Sequence, residues 1–156
     1  MDNKVIRIVH QCGENDYEDV LERYSRYNLD VSVYKFIDNI EDYYADADIV
    51  IARSGAGTLA EICSVGVASV LIPYPFATHN HQYHNALVLE QSHAAILIEE
   101  SDLNAKELAS QVSALLDRAK LKEMASRAKA LGKPRASGAV VENMYKILNM
   151  KPCMGV

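Results

Sequence analysis

The chain has 156 residues, 49% of them hydrophobic and 24% charged, which suffices for one domain with a proper core and is too little for two of ordinary size. A formal net charge of −5, from 16 Lys and Arg against 21 Asp and Glu, describes a globular protein without the basic footprint of a nucleic-acid binder. The opening Met1-Asp2-Asn3-Lys4 leads into only a short apolar run, so neither a signal peptide nor a membrane span is read and a cytoplasmic location is expected.

The β-branched run at residues 5–9 predicts a first strand, after which Tyr17, Val20, Leu21 and Tyr24 recur at helical spacing. Residues 31–37 read as a second strand. Ile40, Tyr43, Tyr44 and Ala47 then form the stripe of a short helix ahead of a third strand at Ile49. Ser54-Gly55-Ala56-Gly57-Thr58 follows as a small flexible loop, and a helix from Leu59 is stopped by Gly66. A fourth strand over 68–72 is broken by Pro73 and Pro75. Helix 81–91, strand 94–98 and helix 105–116, with Leu108, Val112 and Leu115 inward, continue the alternation.

Five strands separated by helices predict an α/β fold with a mainly parallel sheet covered on both faces, because parallel neighbours require crossover connections. The C-terminal third differs. Leu121, Met124, Ala125 and Ala128 share one helix that stops at Gly132 and Pro134, and a last helix over 136–148 carries Val140, Val141, Met144 and Leu148. With no strand between them, these helices either cap the sheet or dock on something outside the chain. A single domain is expected over 1–149, with a frayed tail at 150–156. Cys12, Cys63 and Cys153 lack the paired spacing of a zinc site or redox dithiol and are expected to be reduced packing residues.

A strand that turns through glycines into a helix presents unpaired N–H groups and the positive end of the helix dipole, which together can hold a phosphate. The loop at 54–58 has that form. A second polar connection, Pro73-Tyr74-Pro75-Phe76-Ala77-Thr78-His79-Asn80-His81-Gln82, also follows a strand, and in open α/β sheets ligands bind at such carboxyl ends. Both loops are expected to line one crevice. The spacing His79-x-His81-x-x-His84 invites a zinc reading, but no Cys or carboxylate nearby completes a set, and no metal is expected. Polar loop lining is the expected role of these histidines.

The run Ala47-Asp48-Ile49-Val50-Ile51-Ala52-Arg53-Ser54-Gly55-Ala56-Gly57-Thr58-Leu59-Ala60-Glu61-Ile62, followed by Val70-Leu71-Ile72-Pro73-Tyr74-Pro75 and by His81-Gln82 with Asn85-Ala86, resembles the donor-binding half of the MurG glycosyltransferases. His10-Gln11-Cys12-Gly13 and Phe36-Ile37-Asp38 upstream, and Met124-Ala125 to Pro134 downstream, extend the likeness over nearly the whole chain. Those enzymes transfer N-acetylglucosamine from UDP-N-acetylglucosamine to the lipid-linked muramyl-pentapeptide precursor of peptidoglycan. The resemblance implies a Rossmann-like C-terminal domain of a GT-B enzyme. It places the acceptor site, the membrane-facing patch and the general base in an N-terminal half that this chain lacks. It also implies a position at the inner face of the plasma membrane once the chain is joined to that partner half, and it calls for no cofactor.

By the same resemblance, the amides of Ala56, Gly57 and Thr58, with the neighbouring Ser54 and Gly55 and the Thr58 hydroxyl, hold the diphosphate. Glu61 accepts from both ribose hydroxyls. Thr58-x-x-Glu61 is equally a capping box, in which the two residues only secure the helix start, and that reading stays open here. Ile37 is expected to offer backbone N–H and C=O to the edge of uracil, with Phe36 nearby. Gln82, assisted by His81, is expected to bind hydroxyls of the sugar, and Asn85 to brace the loop. Gly57 stands where related sequences carry a bulky aliphatic, and His79 and Asn80 stand where acidic residues are common. The chain alone is expected to have negligible transferase activity. Two alternatives are a soluble subunit that joins a separate membrane-bound partner and a non-catalytic nucleotide-sugar binding module.

Overall fold

The computed structural model describes residues 6–148, so Val5, Cys153 and the tail expected at 150–156 lie outside the described residues. The chain divides into two compact units, the first reaching to Asp46 and the second beginning at Ala47.

The first unit runs β1 (Arg7–Gln11), α1 (Tyr17–Ser25), β2 (Asp30–Tyr34) and α2 (Ile40–Asp46). β1 and β2 are parallel, with Ile8 opposite Val31 and His10 opposite Val33, and α1 is the crossover that parallel pairing demands. Side-chain hydrogen bonds tie the helices to the strands. His10 Nδ1 meets the Tyr24 hydroxyl at 3.2 Å, and the Tyr43 hydroxyl donates to that of Tyr34 at 3.1 Å. That bond holds the Tyr43 proton and, with burial, raises its pKa.

The second unit runs β3 (Ile49–Ala52), α3 (Ala56–Val65), β4 (Ala68–Leu71), a 3-10 turn (Thr78–Asn80), α4 (His81–Gln91), β5 (Ile96–Leu97), α5 (Ala105–Leu115), α6 (Arg118–Leu131) and α7 (Ala136–Ile147). Its sheet has the order β3-β4-β5, all parallel. β4 is central and buried at every position, which is why Ala68-Ser69-Val70-Leu71 reads as an almost unbroken apolar run. Val70, Ile72, Ile98 and Leu115 form the core, with Ile49, Leu103, Leu108, Leu121 and Met124 packed against it. The run at 94–98 contributes only Ile96 and Leu97 to β5, although Ala94, Ala95 and Ile98 are buried and the Ile98 N–H still reaches the Leu71 carbonyl at 3.0 Å.

α6 lies against α3 and β4, and the approach is close. Gly66 ends α3 in the left-handed region at φ 78°, and a Cβ there would come within 2.8 Å of the Lys129 Cβ. Lys129 Nζ donates to the Ser64 and Val65 carbonyls, placing a cation at the negative end of α3. α7 buries none of its residues, and Val140, Val141, Met144 and Ile147 are all exposed. Of the two sequence readings for the C-terminal helices, capping therefore holds for α6 and not for α7. Among the described residues no helix is long and apolar enough to cross a membrane.

Candidate functional site

The segment at 54–58 is mostly helix and not loop. β3 ends at Ala52, Gly55 is the N-cap in an extended conformation (φ −63°, ψ 148°), and α3 begins at Ala56, three residues ahead of the start expected at Leu59. The extra turn lets Leu59 donate to the Gly55 carbonyl at 3.0 Å while Leu59 and Ile62, three apart, enter the core on one face. Thr58 is consequently the third helical residue and no N-cap. The capping-box reading fails on that geometry, and among the described residues no side chain caps the start of α3. The N–H groups of Ala56, Gly57 and Thr58 have no acceptor among the described residues, so the unpaired donors and the positive dipole end coincide. Glu61 follows Thr58 by one turn, is exposed, and has no hydrogen bond or ion pair among the described residues.

Ser54, grouped by the resemblance with the residues around the diphosphate, keeps its hydroxyl for the protein. It is fully buried, and its Oγ donates to the Gln82 carbonyl at 2.8 Å because a buried hydroxyl needs a protein partner. Asn85 Nδ2 donates in turn to the Ser54 carbonyl at 3.3 Å, as the bracing role for Asn85 requires. The mouths of α3 and α4 are thus joined by two hydrogen bonds between the same short segments.

The second connection is ordered by its side chains. Gln82 Oε1 accepts the Tyr74 N–H at 3.0 Å, which fixes the amide so that its two Nε2 hydrogens are the unengaged donors. His81 Nδ1 lies 2.7 Å from the Thr78 carbonyl. A carbonyl only accepts, so Nδ1 carries a proton, and Nε2 is left outside that contact on an exposed ring. His79 and Asn80, immediately before α4, both adopt left-handed backbone (φ 51° and 53°), a conformation uncommon outside glycine in which asparagine and histidine are enriched. Among the described residues no group of three or more His, Cys, Asp or Glu is arranged to hold a metal.

Arg53, which lies inside the sequence motif between β3 and α3, ties three segments together. Its Nη1 donates to the Ile72 and Pro73 carbonyls at 3.3 and 3.2 Å and to the Glu100 carboxylate, and its guanidinium lies 5.6 Å from the Tyr74 ring centroid. Nothing local in the sequence points from residue 53 to residue 100. The parallel register, which sets the ends of β3, β4 and β5 side by side, does.

Ile37 belongs to the first unit, where it is buried, and its N–H donates to Gln11 Oε1 at 2.8 Å. The amide expected to be free for a base edge is therefore engaged by a side chain of the same unit. Phe36 beside it is 69% exposed, so only one of the two residues packs inward.

Residues 2–140 match the model of the glycosyltransferase family 28 C-terminal domain. The chain belongs to that family. A Halothermothrix orenii protein named UDP-N-acetylglucosamine–N-acetylmuramyl-(pentapeptide) pyrophosphoryl-undecaprenol N-acetylglucosamine transferase is 42% identical over 146 residues, covering 89% of this chain and 39% of that protein. A protein of the same name from Nitratidesulfovibrio vulgaris is 40% identical over 149 residues, covering 94% of this chain and 41% of its own length. Among solved structures, Acinetobacter baumannii MurG superposes with a TM-score of 0.84 at 34% identity, over 90% of this chain and 41% of that one. The chain thus spans about two fifths of the relatives it matches. The family 28 C-terminal fold, a mixed α/β arrangement of parallel sheets with helices, agrees with the fold class read from the sequence and with GT-B glycosyltransferase architecture.

Proposed function

We propose that this family 28 domain is the donor-binding half of an N-acetylglucosaminyltransferase of peptidoglycan precursor synthesis, and that it binds UDP-N-acetylglucosamine. The observation that carries the reading is the start of α3, where among the described residues three successive amides lack acceptors and no side chain caps the helix start. A diphosphate seated there completes those hydrogen bonds and meets the helix dipole. The Thr58 hydroxyl adds a donor beside it. Glu61, one turn along and without a partner among the described residues, supplies two acceptor oxygens to the ribose hydroxyls. The Gln82 Nε2 hydrogens, with His81 Nε2, address the sugar.

In the transfer itself an acceptor hydroxyl attacks the anomeric carbon from the face opposite UDP, with inversion, and the helix-end amides stabilise the departing diphosphate as its charge grows. The general base and acceptor cleft are assigned to an N-terminal domain or subunit. That assignment fits a chain covering about two fifths of its relatives, and it puts a lipid-linked acceptor within reach only through that partner, at the cytoplasmic face of the membrane. No cofactor enters this scheme.

Titration calorimetry with UDP, UDP-N-acetylglucosamine and other nucleotides tests the reading. Uridine nucleotides are expected to bind, and Glu61→Ala is expected to lose affinity for UDP by about tenfold to a hundredfold, the scale of one hydrogen bond to a charged group, at an unchanged melting temperature. A fold that melts normally yet ignores UDP rejects the donor site. Strong transfer by the chain alone rejects the division of labour.

A further inference from the structure

We propose that Glu100, at the exit of β5, is a positioning residue for recognition of the donor's sugar, acting through Arg53 and the connection between β4 and α4. The proposal rests on the donor reading above and extends it to a residue that contacts no ligand. Arg53 Nη1 carries two hydrogens and faces three acceptors, the carbonyls of Ile72 and Pro73, at 3.3 and 3.2 Å, and the Glu100 carboxylate. The carbonyl contacts are long. The carboxylate is its only ionic partner among the described residues and so sets the tilt of the guanidinium.

That tilt is passed on. The guanidinium lies over the ring of Tyr74, and Pro73, whose carbonyl it holds, directly precedes Tyr74. The Tyr74 N–H is the group that takes Gln82 Oε1 at 3.0 Å, the one hydrogen bond among the described residues that orients the Gln82 amide. If the Tyr74 backbone turns away, the amide is free to rotate, and a pair of donors becomes a mixture of donor and acceptor. The first turn of α4 is meanwhile held independently, by Ser54 Oγ on the Gln82 carbonyl and by Asn85 on the Ser54 carbonyl. Loss of the ion pair therefore disturbs the side chain of Gln82 and spares the start of α3. Both partners of the pair are roughly half exposed, so its contribution to global stability is small.

The test is calorimetric, on the full chain, with UDP and UDP-N-acetylglucosamine as paired probes and Glu100→Ala, Glu100→Gln, Gln82→Ala and the Glu100→Ala/Gln82→Ala double variant. Glu100→Ala is expected to keep the melting temperature and UDP affinity of the parent while weakening UDP-N-acetylglucosamine about threefold to tenfold, the range of couplings within one network. Glu100→Gln, whose amide oxygen still accepts from Arg53, is expected to recover most of that loss. In the Gln82→Ala background Glu100→Ala is expected to cost nothing further. Equal losses for both probes, a loss that persists without the Gln82 side chain, or no loss at all overturns the proposal. A parent chain that binds UDP but gains nothing from the sugar overturns it while leaving the diphosphate site standing. A parent that binds neither probe removes both.

Discussion

α3 and α4 start in equivalent places, each just beyond the carboxyl end of a strand in the same sheet, yet they are finished in opposite ways. α3 enters through Gly55 with no side-chain cap and leaves three amides unpaired. α4 enters through two left-handed residues, and the side chains of its first turns are spoken for: His81 by the Thr78 carbonyl, Gln82 by the Tyr74 N–H, Asn85 by the Ser54 carbonyl. One terminus offers bare backbone, suited to an anion of fixed charge and tolerant of what is attached to it. The other offers oriented side chains, suited to telling one hydroxyl pattern from another. The division matches a ligand with a diphosphate at one end and a sugar at the other.

The comparison is broken most sharply by removing an amide without removing the helix. Ala56 is the first helical residue, where proline is well tolerated, and the extended Gly55 before it already has the conformation that a following proline imposes. Ala56→Pro is expected to keep the melting temperature and to weaken UDP about tenfold to a hundredfold, the loss of one hydrogen bond to a charged group. An unchanged affinity in calorimetry denies the backbone cradle.

A smaller effect is expected where the two termini are joined. Ser54→Ala removes the donor of a fully buried hydrogen bond and leaves the Gln82 carbonyl short of a partner. Chemical denaturation is expected to show a loss of about 1–3 kcal/mol. Full stability in this variant means that the bridge between the two helix mouths is dispensable.

The smallest effect concerns Gly57. It lies in the first turn of α3, has ordinary helical backbone, and a Cβ built there meets nothing within 4 Å. Gly57→Ala is expected to stabilise the protein by about 0.5–1 kcal/mol, through the lower chain entropy of the unfolded state. Thermal melting checks the sign. Tighter UDP binding in the same variant identifies the glycine as the reason for a loose cradle, and equal binding shows that stability and affinity are separable at this turn.

Much of this architecture was legible because it is periodic. The helix at 81–91 was read to its observed ends, and the stop of α3 at Gly66 followed from the one residue that reaches φ 78° without strain. The start of α3 was misplaced by three residues, since small residues such as Gly55-Ala56-Gly57 carry no periodic signal and suit a loop or a helix equally. The five expected strands are present, but they pair as β1-β2 and as β3-β4-β5, one ladder in each compact unit, and the alternation of elements cannot say where pairing breaks.

The site divides along the same line. That a strand, a glycine and a helix would follow one another at residues 49–65 is a local property, and the chain sequence alone determined it, together with the family to which its motifs point. Which polar atoms remain free was decided only by tertiary contacts. Ser54 and the Ile37 amide were expected to face ligand and are instead held by Gln82 and Gln11, whereas Glu61, which local spacing suited to a cap, has no partner among the described residues. Arg53 gained its role only when the parallel register brought residue 100 beside it. Hydrogen-bond partnership depends on distance in space, and no pattern along a chain carries that distance until the sheet is assembled.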